Sequence, residues 1–97
     1  METYISLVRY TGEGVQHMDE SPDRLDAARD VVESMGGELT HFFLTMGQYD
    51  AVVIMELPDG EAATQAGITI AGGGAVRTET LRAFPEGEYR ELIAGLP

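Results

Sequence analysis

Ala51-Val52-Val53-Ile54-Met55 is an unbroken apolar run that follows the turn Thr45-Met46-Gly47-Gln48-Tyr49-Asp50. Successive side chains of an extended chain point to opposite faces, so a strand that is apolar at every position needs cover on both. A chain of 97 residues has room for one modest core, and its own helices can cover one face. The other face calls for a second copy of the chain. Within the turn, Gly47 is the residue that tolerates φ > 0 without cost, so the chain reverses there. Leu39 to Thr45 then reads as a strand before the turn, and Tyr49 to Leu57 as a strand after it.

The remaining elements follow from periodicity. Thr3 to Arg9 is a first strand, rich in β-branched and aromatic residues. Gly12 and Gly14 break it, and His17 to Glu20 reads as a polar loop. Ser21 as N-cap and Pro22 at the first helical position open a helix over 22–35, with Asp23 near the positive end of its dipole. Its apolar stripe is Leu25, Ala28, Val32 and Met35, and Gly36 is its left-handed cap. Pro58-Asp59-Gly60 stops the third strand and starts a helix over 60–71, with Asp59 as N-cap and Ala62, Ala63, Ala66 and Ile70 as a narrow packing stripe. Gly72-Gly73-Gly74 ends it. Val76 to Ala83 is a fourth strand, and 86–94 a short terminal helix with Tyr89, Leu92 and Ile93 on its apolar side.

Strand, helix, strand, strand, helix, strand is the order of the α+β, ferredoxin-like βαββαβ domain, here spanning 1–97. Both helices lie on one face of a four-stranded antiparallel sheet, with the first and third strands central. Phe42, Phe43 and Leu44 place large apolar groups on both faces of the second strand as well. The helix-free face is too apolar for water and marks an interface. Two sheets packed face to face make a dimeric α/β barrel, so the expected partner is the chain itself, as a homodimer or a higher homo-oligomer.

Composition removes several functions. The six basic residues are all arginine, against 17 acidic ones, for a net charge of −11. That field repels nucleic acid and anionic lipid, so neither is an expected partner. Without cysteine there is no disulfide, thiol nucleophile or thiolate metal site, and without lysine no Schiff-base chemistry on a side-chain amine. No run is long enough to span a membrane and no signal peptide is evident, which points to the cytoplasm. Gly72-Gly73-Gly74 follows a helix instead of preceding one, so it is not a phosphate loop. Three serines, two of them in a helix, offer no nucleophile–base–acid arrangement.

Gly47-Gln48-Tyr49-Asp50 resembles the signature of the GYD-domain family. The first strand with Tyr10-Thr11-Gly12, the Gly36-Gly37 helix end, Pro58-Asp59 and the block from Val76 to Phe84 are similar to the family's pattern too. Gly72-Gly73-Gly74-Ala75 departs from it, since relatives more often carry one glycine followed by asparagine. The resemblance implies a ferredoxin-like domain of the dimeric α/β barrel superfamily and brings no established general activity.

The residues that could carry chemistry are few. Asp50 reads as an acceptor for turn N–H groups and Tyr49 as packing at the sheet end, with a carboxylate and phenol at a pocket mouth as the functional alternative. His41 shares a strand face with Leu39 and Phe43 on strict alternation and is the one imidazole in the expected sheet. His17, Asp19 and Glu20 are metal-ligand types without ligand spacing, so neither a metal nor another cofactor is expected. On the fourth strand, Thr78, Thr80 and Arg82 share one face and Arg77, Glu79 and Leu81 the other. The candidate ligand site is a pocket between sheet and helices, or at the dimer seam, lined by Tyr4, Ser6, His41 and Arg82. Arg82 there is paired by Glu79 or Asp50, or by an anionic ligand. The function expected is a small-molecule binding or sensing module. The alternatives are a cofactor-independent oxygenase or isomerase and a structural or partner-binding protein.

Overall fold

The structure, a computed structural model, describes all 97 residues, Met1–Pro97. The elements run β1 (Glu2–Tyr10), α1 (Gly12–Gln16), a 3-10 turn (Met18–Glu20), α2 (Ser21–Ser34), β2 (Glu38–Leu44), β3 (Ala51–Leu57), α3 (Gly60–Ala71), β4 (Val76–Ala83) and α4 (Glu86–Ala94). The strands form one antiparallel sheet in the order β2-β3-β1-β4. The fold is ferredoxin-like, with α2 and α3 on one side of the sheet.

The core is thin. Val32 of α2 and Ala63 and Ala66 of α3 close on Tyr4, Met55 and Leu57 of the central strands. Only 13 of 97 residues are buried, as follows when one face of the sheet has no cover within the chain. Asp59 caps α3 as expected, its Oδ1 accepting from the Ala62 N–H at 2.8 Å.

Ser21 does not cap α2. It already has helical backbone angles, because the 3-10 turn runs straight into the helix, and its hydroxyl turns to the Tyr10 hydroxyl, 3.4 Å away. The glycines after β1 also behave differently from a simple break. Thr11 caps α1 by accepting from the Gly14 N–H at 3.1 Å and donates to the Gly74 carbonyl at 2.7 Å. A Cβ on Gly14 would lie 2.1 Å from the Ala75 carbonyl oxygen, so only glycine lets α1 sit this close to the start of β4.

The hairpin turn spans residues 45–50. Gly47 has φ 104°, and the Thr45 N–H donates to the Asp50 carbonyl at 2.8 Å. β2 carries a bulge. Leu39 lies opposite Met55, but His41 lies opposite Ile54, leaving Thr40 without a place in the ladder. The Thr40 hydroxyl donates to the Ile54 carbonyl at 3.0 Å, which satisfies the group the slip exposes. The bulge corrects the expected facing of β2. Leu39 points to the helices, whereas His41 and Phe43 lie on the open face, their rings stacked 6.1 Å apart.

Candidate ligand-binding site

A cavity of about 270 Å³ lies between α2, α3 and the sheet. β1 contributes Ser6, Val8 and Tyr10, and β3 contributes Val53 and Met55. Leu39 and Phe42 of β2, Leu25, Ala28 and Val31 of α2, and Ile70 of α3 complete most of the wall. Small residues on several elements leave this space, among them Ser6 of β1, Ala28 of α2, and Gly73 and Ala75 between α3 and β4.

Of its 20 lining residues 14 are hydrophobic. The polar lining consists almost wholly of hydroxyls: Tyr10 paired with Ser21 at 3.4 Å at one end, and Ser6, Thr69 and Thr78 elsewhere. Arg24 is the single charged lining residue, and its guanidinium is already occupied, donating to His17 O at 2.9 Å and Gly14 O at 3.3 Å with the Glu20 carboxylate 3.9 Å away. A charged ligand would therefore be left unpaired inside, which is expensive, whereas a neutral one would not.

A second void, an edge groove of about 600 Å³, lies on the other side of α3 above β4. Tyr4, Thr78, Thr80 and Arg82 form its sheet side, and Gly60, Ala63, Thr64, Gly67, Ile68 and Ala71 its helix side. Arg82 is held here by Glu2 and Glu88, each 3.6 Å away, and its guanidinium lies 4.3 Å from the centre of the Phe84 ring. The expected partners Glu79 and Asp50 are not involved: Glu79 faces the open side of the sheet, and Asp50 lies at the opposite end of β1. The Tyr4 hydroxyl donates to Glu2, and that bond, followed by burial, raises the phenol's pKa above its ordinary value of 10.0.

The structure thus divides the expected pocket. Ser6 lines the inner cavity; Tyr4 and Arg82 line the edge groove; His41 is exposed on the far face of the sheet, bonded only to its neighbour Thr40 at 3.0 Å. Tyr49 and Asp50 line neither. Asp50 accepts from the Tyr10 N–H of β1 at 2.9 Å, tying the turn to the end of the neighbouring strand instead of to its own N–H groups. Tyr49 donates to Glu79 at 2.7 Å beneath the Arg9 guanidinium, 4.9 Å from the ring centre, and the bond to Glu79 raises its pKa. No group of three or more metal-ligating side chains gathers anywhere, and His17 approaches only Glu20, at 3.9 Å. Sequence reasoning missed Tyr10, Ser21 and Thr69 as cavity residues; alternation along β1 puts Tyr10 on the face of Ser6, which was the available signal.

The open face carries Ile5 and Leu7 of β1, Val52 and Ile54 of β3, Phe43 of β2 and Leu81 of β4. Arg9 opposite Arg77 bounds this belt at one end, and Glu38 opposite Glu56 at the other. Thr3 donates to Glu56 at 2.9 Å. No helix is long and apolar enough to cross a membrane.

A profile of the GYD domain matches residues 4–93. A Thermus thermophilus protein named glutamine synthetase and cystathionine beta-lyase binding protein is 30% identical over 97 residues, spanning 99% of each chain. The crystal structure of TTHA0845 from Thermus thermophilus superposes with a TM-score of 0.57 at 27% identity, over 87% of this chain and 94% of that one. The same score and coverage, at 14% identity, relate the fold to a 5-chloro-2-hydroxyhydroquinone dehydrochlorinase from Burkholderia phenoliruptrix in complex with 2,5-dihydroxybenzoquinone.

Proposed function

Because the chain belongs to the GYD-domain family, we propose that it works as a homodimeric binding module that takes a neutral, mainly apolar small molecule between its sheet and helices. The observation that carries this reading is the apolar cavity of about 270 Å³ with hydroxyls as nearly its whole polar lining. Such a lining, with a few placed polar groups, suits recognition and orientation of an uncharged ligand. Its residues include no carboxylate or imidazole to serve as a general base, which favours binding over the oxygenase or isomerase alternative.

Equilibrium titration with 2-naphthol and with 2-naphthoate tests the reading, the two differing in charge at similar size. 2-Naphthol should bind about tenfold or more tightly than the carboxylate, and Ala28→Phe, which fills the cavity, should abolish its binding. Equal affinity for both, or binding that Ala28→Phe leaves intact, contradicts it.

The dimer half of the reading rests on the open face. Its belt is mainly aliphatic and aromatic, with Arg9 and Arg77 at one end, Glu38 and Glu56 at the other, and Glu79, bonded to Tyr49, beside Leu7. An interface of this kind should bury upwards of ~2,000 Å² in total. Light scattering at micromolar concentration should give twice the chain mass of 10.5 kDa; a monomer contradicts it.

A second reading, attachment to a partner enzyme, is supported by the name of the Thermus thermophilus relative and by α4, whose Tyr89, Leu92 and Ile93 are about half exposed. Sedimentation of the protein with glutamine synthetase from its own host would show a joint boundary on that reading, and separate boundaries without it.

A further inference from the structure

The two voids beside α3 are neighbours. Thr78 lines both. The Ser6 hydroxyl, on the wall of the inner cavity, stands 3.3 Å from the Thr80 hydroxyl, on the wall of the groove. Ser6 lies directly opposite Thr80 across the β1–β4 ladder, and Thr78 lies opposite Val8 one step along the same face. What separates cavity from groove is therefore a narrow sill of hydroxyls beneath α3. Above it the helix is slender: Ala63, Gly67 and Ala71 border the groove, and a Cβ built on Gly67 would meet no heavy atom within 4 Å.

We propose that the groove between α3 and β4 is the entrance to the inner cavity, and that Ser6, Thr78 and Thr80 bind the hydroxyl or carbonyl end of the ligand at its threshold. The proposal rests on the inner cavity being the ligand site and adds to it a route and a chemical class. A hydroxyl both donates and accepts, so the sill suits a neutral O–H or C=O group whose apolar body lies further in. An anionic end is disfavoured, because the groove's cation, Arg82, is already flanked by Glu2 and Glu88. The ligand class is then a neutral, compact apolar molecule with one oxygen function at its end, of the kind a phenol or a ketone represents.

Stopped-flow and equilibrium binding of 2-naphthol, with naphthalene for comparison, test the entrance and the sill separately. Gly67→Leu should slow association and dissociation together by about fivefold or more while the equilibrium constant changes less than about twofold, since a blocked path alters rates and not end states. Gly67→Ala, which adds only a Cβ into open space, should leave the rates near wild type and so controls for helix stiffening. Thr78→Val removes a hydroxyl at nearly constant volume, and should weaken 2-naphthol by about fivefold or more while leaving naphthalene unchanged. Unchanged rates in Gly67→Leu overturn the entrance. Equal effects of Thr78→Val on both probes, or no effect on either, overturn the sill. If wild type takes up neither probe, the cavity reading itself falls and takes the entrance with it. If Ala28→Phe abolishes uptake while Gly67→Leu leaves the rates alone, the cavity stands and the entrance alone is wrong.

Discussion

On the helix side of β1, Tyr4, Ser6 and Val8 are all less than a tenth exposed; on the other side of the same strand, Ile5 and Leu7 remain half-buried. The row under the helices carries two hydroxyls, and it faces Thr78, Thr80 and Arg82 on β4. Between Thr3 and Arg9 the uncovered row is aliphatic, and it faces Val52, Ile54, Glu79 and Leu81. Hydropathy alone would have sorted them the other way. Polar groups gather under the helices because a cavity and a groove lie there, and hydroxyls buried beside a void keep a use for their lone pairs and protons. Aliphatic groups on the bare face are what a second copy would cover in the proposed dimer.

That contrast can be broken by deleting a leucine from each side. Leu57 is fully buried under the helices, and Leu57→Ala should cost about 2–5 kcal/mol in denaturant unfolding, whatever the protein concentration. Leu81 is 45% exposed on the open face. Leu81→Ala should cost less, and its cost should grow with protein concentration if a partner covers it. Equal, concentration-independent losses would mean that both faces are finished within one chain.

The turn joining β2 to β3 sharpens the comparison, because it fixes which residues fall on which side. Asp50→Ala leaves the Tyr10 N–H without its carboxylate and should destabilise by about 1.5–3 kcal/mol, read as a shift in the urea midpoint. Gly47→Val forces a β-branched residue to φ 104° and should cost more than ~1 kcal/mol. No atom lies within 4 Å of a Cβ there, so strain is the whole effect, and an unchanged midpoint would refute it.

The smallest effects concern the two phenols, one on each side of the sheet. Tyr4 bonds Glu2 under the helices and Tyr49 bonds Glu79 on the open face, and both bonds raise the phenol's pKa above 10.0. In the unfolded chain both return to about 10. A raised folded pKa means that the folded state holds its proton longer, so this stabilisation is complete below about pH 10 and is lost as pH rises through the folded values. In an alkaline titration read by tyrosinate absorbance, Tyr49→Phe should remove one late transition and leave the urea midpoint almost unchanged. Loss of an early transition instead would contradict the bond to Glu79.

The sequence carried the strand order and the apolar two-sided β3, because period-two patterning and the turn at Gly47 both act locally. It carried the facing of Thr78, Thr80 and Arg82 for the same reason. His41 was misplaced, since one bulge at Thr40 flips every later side chain of β2 and leaves no mark on the hydropathy pattern. The partners of Arg82 were missed because Glu2 lies at the far end of the chain and Glu88 on a helix beyond the sheet. The inner cavity was only half visible: a void arises from small residues on two elements packed together, and neither shows it alone.

The division of labour between the two faces is tested most directly by Ile54→Glu, which puts a charge in the middle of the open belt without touching the cavity. Sedimentation equilibrium of this variant with 2-naphthol reads assembly and binding in one experiment. We expect the monomer–dimer equilibrium to shift toward monomer by about a hundredfold or more, with 2-naphthol still bound to each chain at an affinity within about twofold of wild type. A dimer that survives the charge, or a monomer that has lost the ligand, would contradict the account.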